Sequence, residues 1–254
     1  MENYKGDIEL KQFLYDGSFE GFLTAIFYGY SCKESCVIVK SKEYIPNLID
    51  EAIEVYTEED KFNRVYNSIS NKLNDYVLKN IYYLYLSDIS GAENIALDYL
   101  KLCYKYGTNI NLAKNNETII LVDKYYRRVG LEGHRFTGFV RFKEIAPLSY
   151  YATIEPDHNI LPIILKHFTT RFSDQNFIIH DIKREIAIVY NKKEAIITDL
   201  TKGEGEELNS VINDNGFDEL WKTFYNSVNI EERKNHRCRN QHMPKRYWKH
   251  LTEI

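Results

Sequence analysis

N-F-I-I-H-D-I-K-R-E-I-A-I-V-Y-N-K-K-E-A-I-I-T-D, residues Asn176 to Asp199, alternates three short runs of β-branched and aromatic residues with two polar tetrads. Apolar runs of this length, bounded by Asp, Asn and Lys clusters, read as strands closed by tight turns. Strands are expected at Phe177–Ile179, Glu185–Tyr190 and Ala195–Asp199, with turns at Asp181–Arg184 and Asn191–Glu194. Strands joined so closely can only pair antiparallel, because a parallel pair needs a long crossover. Upstream, Phe139–Phe142 and Leu148–Ile154 alternate in the same way around a turn containing Pro147. Between these strands, Pro156-Asp157-His158-Asn159 leads into I-L-P-I-I-L-K-H-F-T-T-R-F. Asn159 is the expected helix cap, which places Pro162 in the first turn, where a missing N–H does least harm. Leu161, Ile164, Leu165, Phe168 and Phe172 form the buried stripe, and His167 and Arg171 share the adjacent face four residues apart. Five strands around one helix imply an antiparallel sheet with a helix on one face.

Toward the N-terminus the periodicity changes from two to between three and four. Glu9–Tyr15 alternates weakly and ends in Asp16-Gly17-Ser18, after which Phe19, Phe22, Leu23, Ile26 and Phe27 recur at helical spacing. Glu51–Tyr56 alternates as a strand. From Thr57 onward, Phe62, Val65, Tyr66, Ile69, Leu73, Tyr76, Val77, Ile81 and Leu84 predict one long amphipathic helix. Further helical patterns run from Gly91 to Gly107 and from Glu117 to Gly130. Lys202–Asn215 reads as an acidic loop, and Phe217–Val228 as a last helix with Leu220, Trp221 and Phe224 facing inward. The expected fold class is α+β: a mainly helical part over residues 1–132, an antiparallel part over 133–230, and a basic segment over 231–254, with one continuous domain as the alternative.

A chain of 254 residues, 44% hydrophobic and 28% charged, has the composition of a folded globular protein. No apolar stretch approaches the ~18 residues of a membrane span, and no basic region followed by an apolar run opens the chain, so a cytoplasmic protein is expected. Cys32, Cys36, Cys103 and Cys238 are too few and scattered for a disulfide scaffold. Cys32-x3-Cys36 lacks the further ligands a zinc or iron–sulfur site needs, and Val39 stands where a C-x3-C-x2-C triplet would have its third cysteine. No metal and no cofactor is expected.

Charge is the strongest functional signal. Arg233 to His250 holds seven Lys and Arg, three His and no acid. Removing those seven from the 33 basic residues leaves 26 against 37 acids, a formal charge of −11. A cationic segment on an anionic body can bind a polyanion or dock on the body's own carboxylates. For the first role the candidates are Arg233, Lys234, Arg237, Arg239, Lys245, Arg246 and Lys249 at phosphates, with Tyr247 and Trp248 stacking on exposed bases. The second role anchors the segment by Trp248.

Glycine-rich phosphate loops, a nucleophile elbow and the zinc-helix and zinc-deaminase signatures are all missing from the sequence. Asp157, His158, His167 and Arg171 form the one candidate catalytic set, since a carboxylate beside an imidazole can set its tautomer and basicity. His180-Asp181 is a similar pair on a hairpin.

Phe13-x-Tyr15-Asp16-Gly17-Ser18-x2-Gly21, Phe139-x-Arg141-Phe142, Pro156-Asp157-His158, His167-Phe168-x2-Arg171-Phe172, Asp181-x2-Arg184, Leu220-Trp221-Lys222 and Met243-Pro244-x-Arg246-Tyr247-Trp248-Lys249 together resemble a bacterial family of unknown function described as DNA metabolism proteins. The resemblance runs from about residue 10 to the C-terminus. It implies relatives encoded beside a DNA-repair radical-SAM protein, some of them fused to a uracil-DNA-glycosylase-like domain, and it carries no catalytic residues. The expectation is a DNA-binding or adaptor component of a repair or base-modification system. Its partners are DNA, a radical-SAM protein and a glycosylase-like protein, and no membrane. The alternatives are a hydrolase or glycosylase-like enzyme using Asp157, His158 and His167, and a structural subunit that binds only a partner protein.

Overall fold

The computed structural model describes residues 10–46, 50–211, 219–220, 223, 227 and 235–251. The fold is α+β, and the chain forms two compact units, Met1–Arg128 and Val129–Ile254. The division falls inside a helix, four residues before the 132/133 position expected from the sequence, and residues 235–251 belong to the second unit.

The first unit is built around a parallel three-stranded sheet of β1 (Lys11–Tyr15), β2 (Cys36–Lys40) and β3 (Glu51–Val55), in the order β2-β1-β3. Between β1 and β2 lies α1 (Phe19–Ser31), whose start explains the Asp16-Gly17-Ser18 signal. Ser18 Oγ accepts from the Gly21 amide at 2.9 Å, Asp16 Oδ1 accepts from the Ser18 amide at 2.8 Å, and Gly17 supplies a φ of +89°. A Cβ on Gly21 would lie 2.2 Å from Asp16 Oδ1, so the turn requires glycine there. Because α1 has neighbours on two sides, its small-residue face is buried too, at Gly21, Thr24, Ala25 and Gly29.

The expected long helix is two, α2 (Glu59–Lys72) and α3 (Asp75–Ser87). Leu73 leaves helical geometry at φ −109° and ψ −101°, and the Asn74 side chain accepts from the Val77 amide. The apolar spacing continues through the break because both helices face one core, so periodicity alone hides it. A side-chain cap at Asn74 was the missed signal. Next come α4 (Ala92–Tyr106), framed by Gly91 and Gly107 at positive φ, and α5 (Glu117–Phe139). Gly130 does not end α5, which continues for nine residues past it.

In the second unit, β4 (Lys143–Ala146), β5 (Ser149–Ile154), β6 (Asn176–Asp181), β7 (Ile186–Tyr190) and β8 (Ala195–Asp199) lie side by side in sequence order. Pairing is antiparallel except between β5 and β6, which run parallel because α6 (Leu161–Arg171) crosses between them. The first strand is not Phe139–Phe142: Phe139 closes α5, and Phe142 stacks edge-on to Phe168, Phe172 and Phe177 in the core. Both tetrads are Asx turns. Asp181 Oδ1 accepts from the Lys183 and Arg184 amides, and Asn191 Oδ1 from those of Lys193 and Glu194.

Asn159 is not the cap of α6: Ile160 holds that position without a side-chain bond, and Pro162 sits in the first turn as expected. The expected acidic loop contains α7 (Lys202–Ser210). Thr201 and Glu204 close it with a reciprocal capping box, the Thr-x-x-Glu signal that the acidic composition masked. The expected helix at Phe217–Val228 lies outside the described residues except Glu219, Leu220, Thr223 and Ser227, and Leu220 is exposed rather than inward-facing. The last helix described is α8 (His236–His242), followed by a 3-10 turn at Lys245–His250.

Candidate functional site

Tyr247, not Trp248, pins the basic segment. Its ring is 1% exposed, edge-on to Phe136 at 4.9 Å and part of the core that includes Ile154, Phe168 and Ile179. Its hydroxyl donates to Glu132, which is itself 3% exposed on α5. The two Glu132 oxygens also accept from the Asp157 and His158 amides, each at 2.9 Å. One buried carboxylate thus ties the C-terminal segment to the turn that opens α6. Burial, reinforced by Glu132, holds the Tyr247 phenol in its neutral form by pushing its pKa up.

Other markers of the sequence resemblance converge on the same turn. Arg184 donates to the Pro156 carbonyl at 3.1 Å, to the Asp157 carbonyl at 2.6 Å and to Asp181 Oδ2 at 2.9 Å. Asp181 is fully buried, and burial raises its pKa although Arg184 opposes the shift. The Asp157 carboxylate meets Arg246 at 2.8 Å, Lys249 meets Glu155, and Arg135 on α5 donates to the Gln241 carbonyl. Pro156, Asp157, Asp181, Arg184, Arg246 and Tyr247, spread over some 90 residues of sequence, therefore form one scaffold.

The C-terminal segment that this scaffold holds also borders a cavity of about 280 Å³, together with β4, β5 and α7. Arg141, Lys143, Lys249 and His250 line it with Tyr151, Thr153 and Asn209, and among the described residues no carboxylate lines it. His250 Nδ1 lies 3.3 Å from Thr153 Oγ1, and its Nε2 is 3.6 Å from Glu155. Burial lowers the His250 pKa, Glu155 opposes this, and Lys249 adds to it. Arg141, Lys143 and Lys249, the last paired with Glu155, give the concavity a cationic lining, which suits an oxyanion ligand. Behind it, the buried Tyr151 hydroxyl is 2.7 Å from His180 Nδ1. Burial pushes Tyr151 up to about 12 and lowers His180, so both side chains are neutral near pH 7. Gly205 of α7 packs on this pair, since a Cβ there would lie 2.7 Å from the His180 ring.

The remaining sequence candidates are dispersed. Arg237 and Lys245 are exposed, and Arg239 stacks over the Trp248 ring at 4.7 Å. Trp248 is half-buried, with its indole N–H on the Met243 carbonyl, whereas buried Tyr247 offers no face to a base. Arg233 and Lys234 lie outside the described residues. Of the catalytic set, Asp157 and His158 give their backbone amides to Glu132, with His158 buried. His167 and Arg171 border a shallow surface depression on α6 with Lys166 and Thr170. Among the described residues, no group of three or more His, Cys, Asp or Glu is arranged to hold a metal, and no helix is long and apolar enough to cross a membrane. Sequence reasoning missed Glu132, Lys143 and the Tyr151–His180 pair. Glu132 lies in a Gly-Leu-Glu-Gly run without a motif, and Lys143 follows a segment read as a strand.

A family model described as a domain of unknown function, DUF4130, matches residues 90–253, more than half of the chain. No curated protein and no solved structure matches it.

Proposed function

We propose that this chain, which belongs to the DUF4130 family, is a nucleic-acid-binding component of a DNA repair or base-modification system, with its phosphate site in the second unit. One observation carries the reading: Arg141, Lys143, Lys249 and His250 border a single cavity that no carboxylate lines among the described residues, on a chain of net charge −4. Cationic side chains gathered against the overall charge of a protein favour a polyanionic partner. The sequence points in the same direction, because the cavity draws one of its permanent cations, Lys249, and the imidazole of His250 from the basic C-terminal run. Arg246 meets Asp157 outside the cavity and holds the segment in place, whereas Lys249, although it meets Glu155, lines the cavity. The radical-SAM partner rests on the sequence resemblance alone.

Fluorescence anisotropy with labelled single-stranded, duplex and uracil-containing DNA tests the proposal. Binding that the Lys143→Ala/Lys249→Ala pair weakens is the expected result. Absence of binding to all three probes, or an affinity indifferent to that pair, overturns it. Co-purification with the radical-SAM protein tests the partner separately.

A further inference from the structure

Most of what surrounds a cavity in the first unit precedes residue 90, where the family match begins. It lies in the first unit between α1, α2 and α4 and encloses about 570 Å³, within the roughly 300 to 1,000 Å³ typical of small-molecule sites. Its floor is apolar, with Ile26 and Leu100 fully buried. Phe27, Tyr30 and Tyr104 supply aromatic walls. The Tyr104 hydroxyl is fixed on Ser68 Oγ at 2.7 Å, and the Tyr30 ring stands edge-on to Tyr104 at 5.6 Å. The rim is polar and cationic. Arg64 lies over the Phe27 ring at 5.1 Å, and Lys72 sits two turns further along α2. Asn67 and Asn71, four residues apart on the same helix, bring exposed amides to the cavity, and neither has a hydrogen-bond partner among the described residues. Among the described residues, no carboxylate lines it.

Aromatic rings and a guanidinium plane accept a flat heteroaromatic ring by stacking. An Asn amide offers a donor and an acceptor side by side, matching the edge of a nucleobase. Lys72 and Arg64 supply the counter-charge for a phosphate. We infer that this cavity is a binding site for a free nucleoside monophosphate, separate from the proposed phosphate site of the second unit.

Isothermal titration of the full chain with AMP, adenosine and inorganic phosphate tests this. AMP should bind saturably at one site, adenosine more weakly, and phosphate alone not measurably. Arg64→Ala and the Asn67→Ala/Asn71→Ala pair, all at exposed positions that leave the core intact, should each weaken AMP by about tenfold, the scale of one lost charge-assisted or bidentate contact. The Lys143→Ala/Lys249→Ala pair should leave AMP affinity unchanged, which separates this site from the DNA reading. No saturable AMP binding overturns the inference. So does AMP binding that survives the α2 variants or disappears with the Lys143/Lys249 pair.

Discussion

Replacing Glu132 with Gln keeps its shape and removes half of what it accepts. The residue is 3% exposed, and its two oxygens take donors from Asp157 N–H, His158 N–H and Tyr247 O–H. An amide has one acceptor oxygen, so in either orientation its NH2 group confronts at least one of those donors. Aimed at His158, it leaves that amide without an acceptor; aimed at Asp157 and Tyr247, it leaves the Asp157 amide without one while the Tyr247 hydroxyl turns to accept, so one bond is lost either way. A lost hydrogen bond to a charged group costs about 1.5–3 kcal/mol, and a buried donor left unsatisfied about 1–3 kcal/mol. Glu132→Gln should therefore weaken the attachment of the C-terminal segment by roughly 3 kcal/mol. A chain of two units need not unfold in two states, so a local readout is better than a global melt. Hydrogen exchange at the Asp157 and His158 amides provides one, with opening free energies expected to fall by that amount. Tyr247→Phe removes a single bond and leaves the carboxylate two donors, so its effect should be smaller, about 1–2 kcal/mol. Amide protection in Glu132→Gln within about 0.5 kcal/mol of wild type, well below one lost bond, would refute the anchoring role.

Two further predictions concern the layer behind the cationic cavity. Gly205→Ala should destabilise the second unit by about 1–3 kcal/mol, because its Cβ would overlap the His180 ring and the Tyr151 hydroxyl. Gly203→Ala, with nothing within 4 Å, should stabilise it by about 0.5–1 kcal/mol through helix propensity. Thermal melts of the two variants should thus move in opposite directions, and a shared direction would show that Gly205 is not packed on the pair. His180 should titrate in an NMR pH series below a free histidine, since burial lowers its pKa against the opposing pull of the Leu200 backbone, Asp181, Glu185 and Glu204. With the folded pKa below the unfolded one, this histidine costs no stability at pH 7.5. It costs progressively more as pH falls through the unfolded value of about 6.5. A normal or raised His180 titration would contradict its burial.

The sheet of the second unit was legible because strand chemistry and turn chemistry coincide in Asn176–Asp199: the Asp181 and Asn191 side chains that mark the turns also make their hydrogen bonds. The break between α2 and α3 was not, since the apolar spacing of Val65, Ile69, Leu73 and Val77 runs through it and only Asn74 records it. The parallel β5–β6 pair is a consequence of the α6 crossover, which strand counting ignores. At the candidate site, the basic run was visible as charge, but its division of labour was not. Whether an arginine meets Asp157 or a phosphate depends on where Asp157 lies, 89 residues earlier than Arg246. Trp248 looked like the anchor on size alone, whereas Glu132 selects Tyr247 by offering its hydroxyl a buried acceptor.

The salt dependence of DNA binding tests the central claim most directly. Each phosphate neutralised on duplex DNA contributes about 0.9 to the slope of log Kobs against log salt. If Lys143 and Lys249 both meet phosphates, the wild-type slope should exceed that of Lys143→Ala/Lys249→Ala by about 1 to 2 units. Identical slopes for the two proteins, at whatever affinity, would contradict a phosphate site at this cavity.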